Sequence, residues 1–262
     1  MESSGWRVPP LTLTLVGGTL LVYGVFAHMG WPGAPSPCRT APSCWCESPG
    51  TGWALQPWNT WSNLPALLAA VALAGVRGGN RRERTLRGTF VYALWAAGAG
   101  SLFFHGSLTL WSQGVDRASI FLTWGAVLST SLFRLGLFGV EQLPGVVAAS
   151  SVAAVTLVLG FGVDINVLGL SCLGSFLVLE TVLRRRDGPA ADPRWIRIAL
   201  GAFAVAMVSW VLSLPGSAAC DSPVPTHAVW HVAVAVALVA VSLHTRQPTA
   251  TRTAPSPRAP AG

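Results

Sequence analysis

Three histidines, one serine and one aspartate carry the chemistry this sequence can offer. They stand in Ser101-Leu-Phe-Phe-His105, at Asp116, and in His227-Ala-Val-Trp-His231, each inside or beside a long apolar run. Ionisable groups are costly in such runs and mark functional sites. Imidazole nitrogen binds zinc readily, and a catalytic zinc site takes three protein ligands with water in the fourth position. His105, His227 and His231 supply that set. Asp116 can serve as general base or orient a ligand imidazole, and Ser101 can donate a hydrogen bond to the oxyanion of a tetrahedral intermediate. Singly these signals are weak. Histidines four apart on a helix also occur as packing residues, a membrane serine often bonds back to its own helix, and Asp116 could cap a helix N-terminus. His28 and His244, at the ends of apolar runs, read as interfacial. Asp164 and Asn166 mark a turn, and Glu180 with Arg184 reads as a helix-end pair.

The elements that must position these groups are membrane helices. Hydrophobic residues make up 52% of the 262 and charged residues only 10%, far below the roughly 25% charged of soluble domains. Apolar spans near bilayer-crossing length lie at 11–29, 59–76, 89–110, 119–138, 143–163, 167–183, 196–214 and 227–243. The short connection at 163–167 is the weakest boundary. The first span is too long for a secretory signal and lacks a small-residue cleavage site. This divides the chain into an N-terminal helix (1–30), a Cys-rich loop (31–58), a membrane domain (59–246) and a Pro/Ala/Thr/Arg-rich tail (247–262) of disordered composition.

The cations behind the net charge of +7 are all arginines, most of them in the loops 77–87 and 184–194, the tail and at Arg7. With no basic stripe interleaved with stacking aromatics, nucleic acid is not the partner. Eight spans put the arginines of these regions on one side, which the positive-inside rule makes cytoplasmic. The opposite face receives the Cys-rich loop, the turns near 111–115 and 164–166, and the loop 215–225. Ser101 and His105 share a helical face in the outer half of the third span. Asp116 then begins the fourth span and His227 and His231 the last, so all five residues fall at one depth. Cys38, Cys44, Cys46 and Cys220 are also outside, where oxidising conditions permit disulfides. A Cys46–Cys220 bridge, a Cys38–Cys44 bridge and free thiols all fit. Cys44-Trp-Cys46 is not a zinc-ligand spacing.

Taken together these residues resemble the alkaline ceramidase family, within the superfamily that includes the adiponectin and progesterone receptors. The resemblance rests on Trp45-Cys46-Glu47, Trp58-Asn59-Thr60-Trp61-Ser62-Asn63, Gly100-Ser101-Leu-Phe-Phe-His105 with Asp116, and His227-Ala-Val-Trp-His231, spanning about residues 44–244. It implies an all-α, polytopic seven-helix bundle, here with one extra N-terminal transmembrane helix. It also implies a zinc-dependent amidase splitting a ceramide-like lipid into a sphingoid base and a fatty acid. Its zinc ligands would be His105, His227 and His231, its catalytic partners Ser101 and Asp116, and its disulfide Cys46–Cys220. The sequence departs from the family at the calcium site, where Cys44, Pro49 and Gln56 replace an Asp, an Asn and a Glu. Calcium prefers carboxylates, and only Glu47, the Trp45 carbonyl and the Gln56 amide remain, which weakens the calcium expectation.

The reading is therefore a multi-pass hydrolase of the plasma membrane, its site in the extracytoplasmic half and its substrate a lipid amide entering from the bilayer. A receptor-like or structural protein of the same superfamily is the rival. A transporter is less well supported, because no inverted repeat or broken helix pair is evident.

Overall fold

The computed structural model describes residues 8–39, 44–187, 192–223 and 225–246. The tail 247–262, with Arg252 and Arg258, and Arg7 at the N-terminus lie outside the described residues. Among the described residues there is no strand, only an isolated bridge between Pro35 and Thr109. The helices are α1 (Pro10–Met29), α2 (Pro57–Trp61), α3 (Leu64–Gly75), α4 (Arg81–Ser107), α5 (Leu110–Arg134), α6 (Leu143–Phe161), α7 (Ile165–Asp187), α8 (Arg194–Leu212) and α9 (Thr226–Thr245).

Their boundaries fall where the sequence provides starts and stops. Asn80 caps α4 by accepting from the Glu83 N–H at 2.9 Å, so the arginine-rich turn before the apolar run is already helical. Leu108 ends α4 in the left-handed region, φ 48°, and is fully buried. That conformation costs a non-glycine residue roughly 1–2 kcal/mol. Burying a leucine contributes about 1.5–3 kcal/mol, and packing against Cys38, Leu55 and Phe104 decides the balance. Thr109 and Ser112 then form a reciprocal capping box that starts α5 at once. The turn is therefore at Leu108–Thr109, and the predicted turn at 111–114 is helical. Asp116 lies in the second turn of α5, not at its cap. Asp164 opens α7 by accepting the N–H groups of Asn166 and Val167.

The predicted second span is broken in two. Pro65 lacks the N–H that would bond the Trp61 carbonyl, and α2 and α3 meet at Ser62 and Asn63. Five helices, α1, α6, α7, α8 and α9, are long and apolar enough to cross a membrane. α4 and α5 are longer still, at 27 and 25 residues, but carry polar groups, and α3 has only 12 residues. The outward faces of α1, α6, α7 and α8 are crowded with exposed Leu, Val and Phe, with Leu159 71% and Phe161 76% exposed. Only lipid suits a surface of that kind. These helices mark the chain as a membrane protein.

α9 is the most buried of the five. Ala228, Ala233, Ala235, Ala237 and Ala240 on it are buried, and small residues let backbones approach where lipid gives helices no hydrophobic drive to associate. It packs against α8, α3 and α4, while α5 sits between α4, α6 and α7. At the end where α9 finishes, Glu180 accepts from Arg134, from Ser131 at 3.2 Å and from His244 Nε2 at 2.9 Å, all buried. This corrects two sequence expectations: His244 is not interfacial, and the partners of Glu180 are Arg134 and His244 rather than Arg184. His28 is exposed at the end of α1, as expected.

Candidate metal centre

Helix geometry brings the five predicted residues to one place. Ser101 and His105 are one turn apart on α4, and His227 and His231 one turn apart on the first two turns of α9. The ligand nitrogens of His105, His227 and His231 lie within 4.8 Å of one another, and all three side chains are buried.

Each imidazole is oriented through Nδ1, and the partners fix the tautomer. Gln56 donates through Nε2 to the Glu47 carbonyl at 2.6 Å, so its Oε1 faces His105 Nδ1 at 2.7 Å and can only accept. Ser62 spends its hydrogen on the Asn59 carbonyl at 3.0 Å, leaving Oγ to accept from His231 Nδ1 at 2.7 Å. Ser213 likewise donates to the Trp210 carbonyl at 2.6 Å and accepts from His227 Nδ1 at 3.3 Å. With the Ser62 and Ser213 hydroxyls turned to those carbonyls, Nδ1 of each ring carries the hydrogen and Nε2 carries the free lone pair. This is the state in which neutral imidazole binds a metal through Nε2, with the other nitrogen held by a second partner. Three neutral donors held in that state fit a zinc ion and its N-rich coordination.

Around this centre Ser101 Oγ lies 3.2 Å from His231 Nε2 and interacts with the Asp116 carboxylate. Gly100 makes that approach possible. A Cβ there would stand 3.2 Å from the Asp116 Cα and 3.0 Å from Ser119 Oγ, so the absence of a side chain lets α5 lie directly against α4. Trp45 stacks on His227 with ring centres 3.7 Å apart. It is held there because Cys46 N–H donates to the Ser213 carbonyl and Cys46 is joined to Cys220. Cys38 is joined to Cys44, so both candidate bridges are present, and Cys172 is free.

Glu47, considered as a calcium ligand, has a different use here. Its two oxygens accept the Trp58 and Asn59 N–H groups at 2.8 Å each, capping α2, the helix that delivers Ser62. Burial pushes its carboxyl above the usual range, more than the Asn59 and Trp58 N–H groups pull it down. The Gln56 amide oxygen, the other side-chain candidate for calcium, is turned to His105.

A cavity leads from the centre into the bundle. Ser101, Asp116, His227 and His231 line one end; apart from Asn63, Ser119 and Thr123 the rest is walled by apolar side chains, mostly of α5, α7, α8 and α9, down to Val127, Phe176 and Val241. Along α9 the distance from His231 to Val241 is about 15 Å. The histidines were legible in the sequence; their orienting partners Gln56, Ser62 and Ser213 were not, since nothing local marks a serine as the partner of a ring 169 residues away. Compared with known proteins, the chain matches no family model and no curated protein.

Proposed function

We propose that the protein is a zinc-dependent membrane hydrolase that cleaves the amide bond of a ceramide-like lipid, releasing a fatty acid and a sphingoid base or related amine. The observation that carries this reading is the convergence of three buried histidines beside a largely apolar cavity, one end of which His227 and His231 line. A metal-binding tripod alone would serve a structural role. A tripod that opens onto a hydrocarbon-sized cavity, with a hydroxyl and a carboxylate at the junction, suits the hydrolysis of a lipid.

Zinc bound there supplies a Lewis acid and a water whose pKa lies near neutrality. Asp116, at the cavity mouth, takes the proton of the attacking water and returns it to the leaving amine. Ser101 donates its hydroxyl hydrogen to the oxygen that gains charge in the tetrahedral intermediate. Trp45 covers one face of His227 and keeps bulk water from the centre. The apolar wall holds the acyl chain, which places the carbonyl at the polar end.

The membrane arrangement proposed with this activity is a seven-helix bundle preceded by α1. α2 and α3 count together as one span, since residues 57–75 reach about 28 Å if the break is ignored. The centre lies in the extracytoplasmic half and the arginine-rich ends in the cytoplasm. The test is metal content and turnover together. Purified protein is expected to hold about one zinc per chain and to release fatty acid from a ceramide-like amide. His231→Ala is expected to lose both metal and turnover, and Asp116→Asn to keep the metal and lose turnover. Wild type as inactive as Asp116→Asn across a panel of lipid amides would reject the hydrolase and favour a receptor-like protein.

A further inference from the structure

The polar cluster at the far end of the bundle stands in register with the cavity. The cavity-lining residues furthest along their helices from the histidine end include Val127 on α5, Phe176 on α7, Ala199 on α8 and Val241 on α9. Ser131 is four residues beyond Val127 and Arg134 seven; Glu180 is four beyond Phe176; His244 is three beyond Val241. These spacings put each polar residue on the same helical face as the cavity wall, one or two turns further down. Helices α5, α7 and α9 then converge on one carboxylate, since Arg134, Ser131 and His244 all donate to Glu180. The side chains of Arg134, Glu180 and His244 are 7%, 6% and 3% exposed.

We infer that the Arg134–Glu180–His244 triad, one to two turns beyond Val127, Phe176 and Val241, braces the floor of the cavity from below and so sets the longest hydrocarbon chain the protein accepts. The inference rests on the cavity holding the acyl chain of the substrate proposed above. A floor of valine and phenylalanine backed only by more apolar side chains yields to a longer chain by changing rotamers. A floor backed by this cluster does not yield, because parting Arg134 from Glu180 leaves a buried charge without its partner, and a methyl terminus offers nothing in exchange. The cluster also ties α7 in place. α7 has one buried stripe, Phe176, Glu180 and Leu183, so the carboxylate that braces the floor also holds the cavity wall formed by Phe176 against α5 and α9.

The experiment uses the full chain in lipid nanodiscs and free saturated fatty acids of graded length, competing with a bound fluorescent polyene fatty acid. In wild type, affinity referred to the free aqueous concentration of each acid is expected to rise about fourfold per added methylene and then to stop rising where the tail meets the floor. Val127→Phe, which fills the space above the floor, is expected to move that break to a shorter chain. Phe176→Ala, and the triple replacement of Arg134, Glu180 and His244 by leucine, are expected to move it to longer chains. The triple variant removes the charges together, so none is left alone; if it does not fold, the double replacement of Arg134 and Glu180 by leucine, which also removes the ion pair as a unit, decides the matter, and the two single variants show only that the chain lies along this wall. A break at the same length in wild type and in the folded variants would overturn the inference. Hydrolysis of lipid amides is measured on the same samples. A moving break without hydrolysis upholds the floor and rejects the hydrolase; hydrolysis with an unmoved break does the reverse.

Discussion

At the scale of single residues, the centre is organised by side chains whose only freedom has been removed. Ser62 and Ser213 are restricted to acceptors by the carbonyls they already bond, and Gln56 by the Glu47 carbonyl. The ordering of His105 is then a property of Gln56, which has no exposed surface. Gln56→Leu keeps roughly the volume of the side chain and removes the acceptor, leaving His105 free to place its hydrogen on Nε2, where it would block metal. Loss of such a partner lowers metal affinity about 10–100-fold, and that fall is expected in a chelator competition titration. Unchanged affinity would mean that helix packing alone orients His105. The histidines were legible because they interrupt apolar runs, and Ser101 and Asp116 because they sit near those histidines in the same pattern. Gln56 was visible only as a departure from a calcium site. Its role became apparent through a contact across 49 residues, which no periodicity encodes. Glu180 and His244 were misread for the same reason: each looks like a membrane-edge residue until Glu180 is found between Arg134 and His244.

At the scale of elements, the positions of α4 and α5 decide whether Asp116 and Ser101 work as a pair. Helices do lie over the third and fourth apolar runs, but both N-termini fall eight or nine residues earlier than those runs. Arginine, glutamate and serine are competent helix formers, and a hydropathy pattern sees only the apolar part of a helix. The later start made Asp116 look like a cap, whereas it faces Gly100 from within α5. A side chain at Gly100 meets the α5 backbone, which cannot swing aside as a side chain can. Gly100→Val is expected to cost about 1–3 kcal/mol by overpacking and to separate the two helices. Turnover should fall sharply while zinc content stays near that of wild type, because the three ligands come from the other side of α4 and from α9. Loss of the zinc as well would show that α4 moves as a whole, carrying His105 with it. The break between α2 and α3 was not read from the sequence, although the polar residues Asn59, Thr60, Ser62 and Asn63 before Pro65 mark it. It is nonetheless what frees Ser62 and Asn63 to face His231, at 2.7 and 3.4 Å.

At the scale of the whole molecule, two unrelated kinds of chemistry report the same polarity. Arg81, Arg82, Arg84 and Arg87 begin α4, Arg134 ends α5, Arg184, Arg185 and Arg186 end α7, and Arg194 and Arg197 begin α8. Those ends share one side of the bundle. Both disulfides and all three converging histidines belong to the other. Arginine is retained on the cytoplasmic side of a membrane, and disulfides persist on the oxidising side, so the proposed orientation satisfies both rules at once. The bridge between Cys46 and Cys220, 174 residues apart, also fastens the loop that lays Trp45 on His227. For a free chain, closing a loop of that length is worth about 5 kcal/mol; helices already inserted in a bilayer restrict the unfolded chain, so the measured value should be smaller. A membrane-impermeant phosphine then tests orientation and function together. Applied to right-side-out vesicles, it should open Cys46–Cys220, make both thiols alkylatable, and reduce turnover as Trp45 leaves His227. Inside-out vesicles treated in the same way should keep both the bridge and the activity. The opposite pattern would place the centre on the cytoplasmic face, and turnover unaffected by complete reduction would remove Trp45 from the catalytic arrangement.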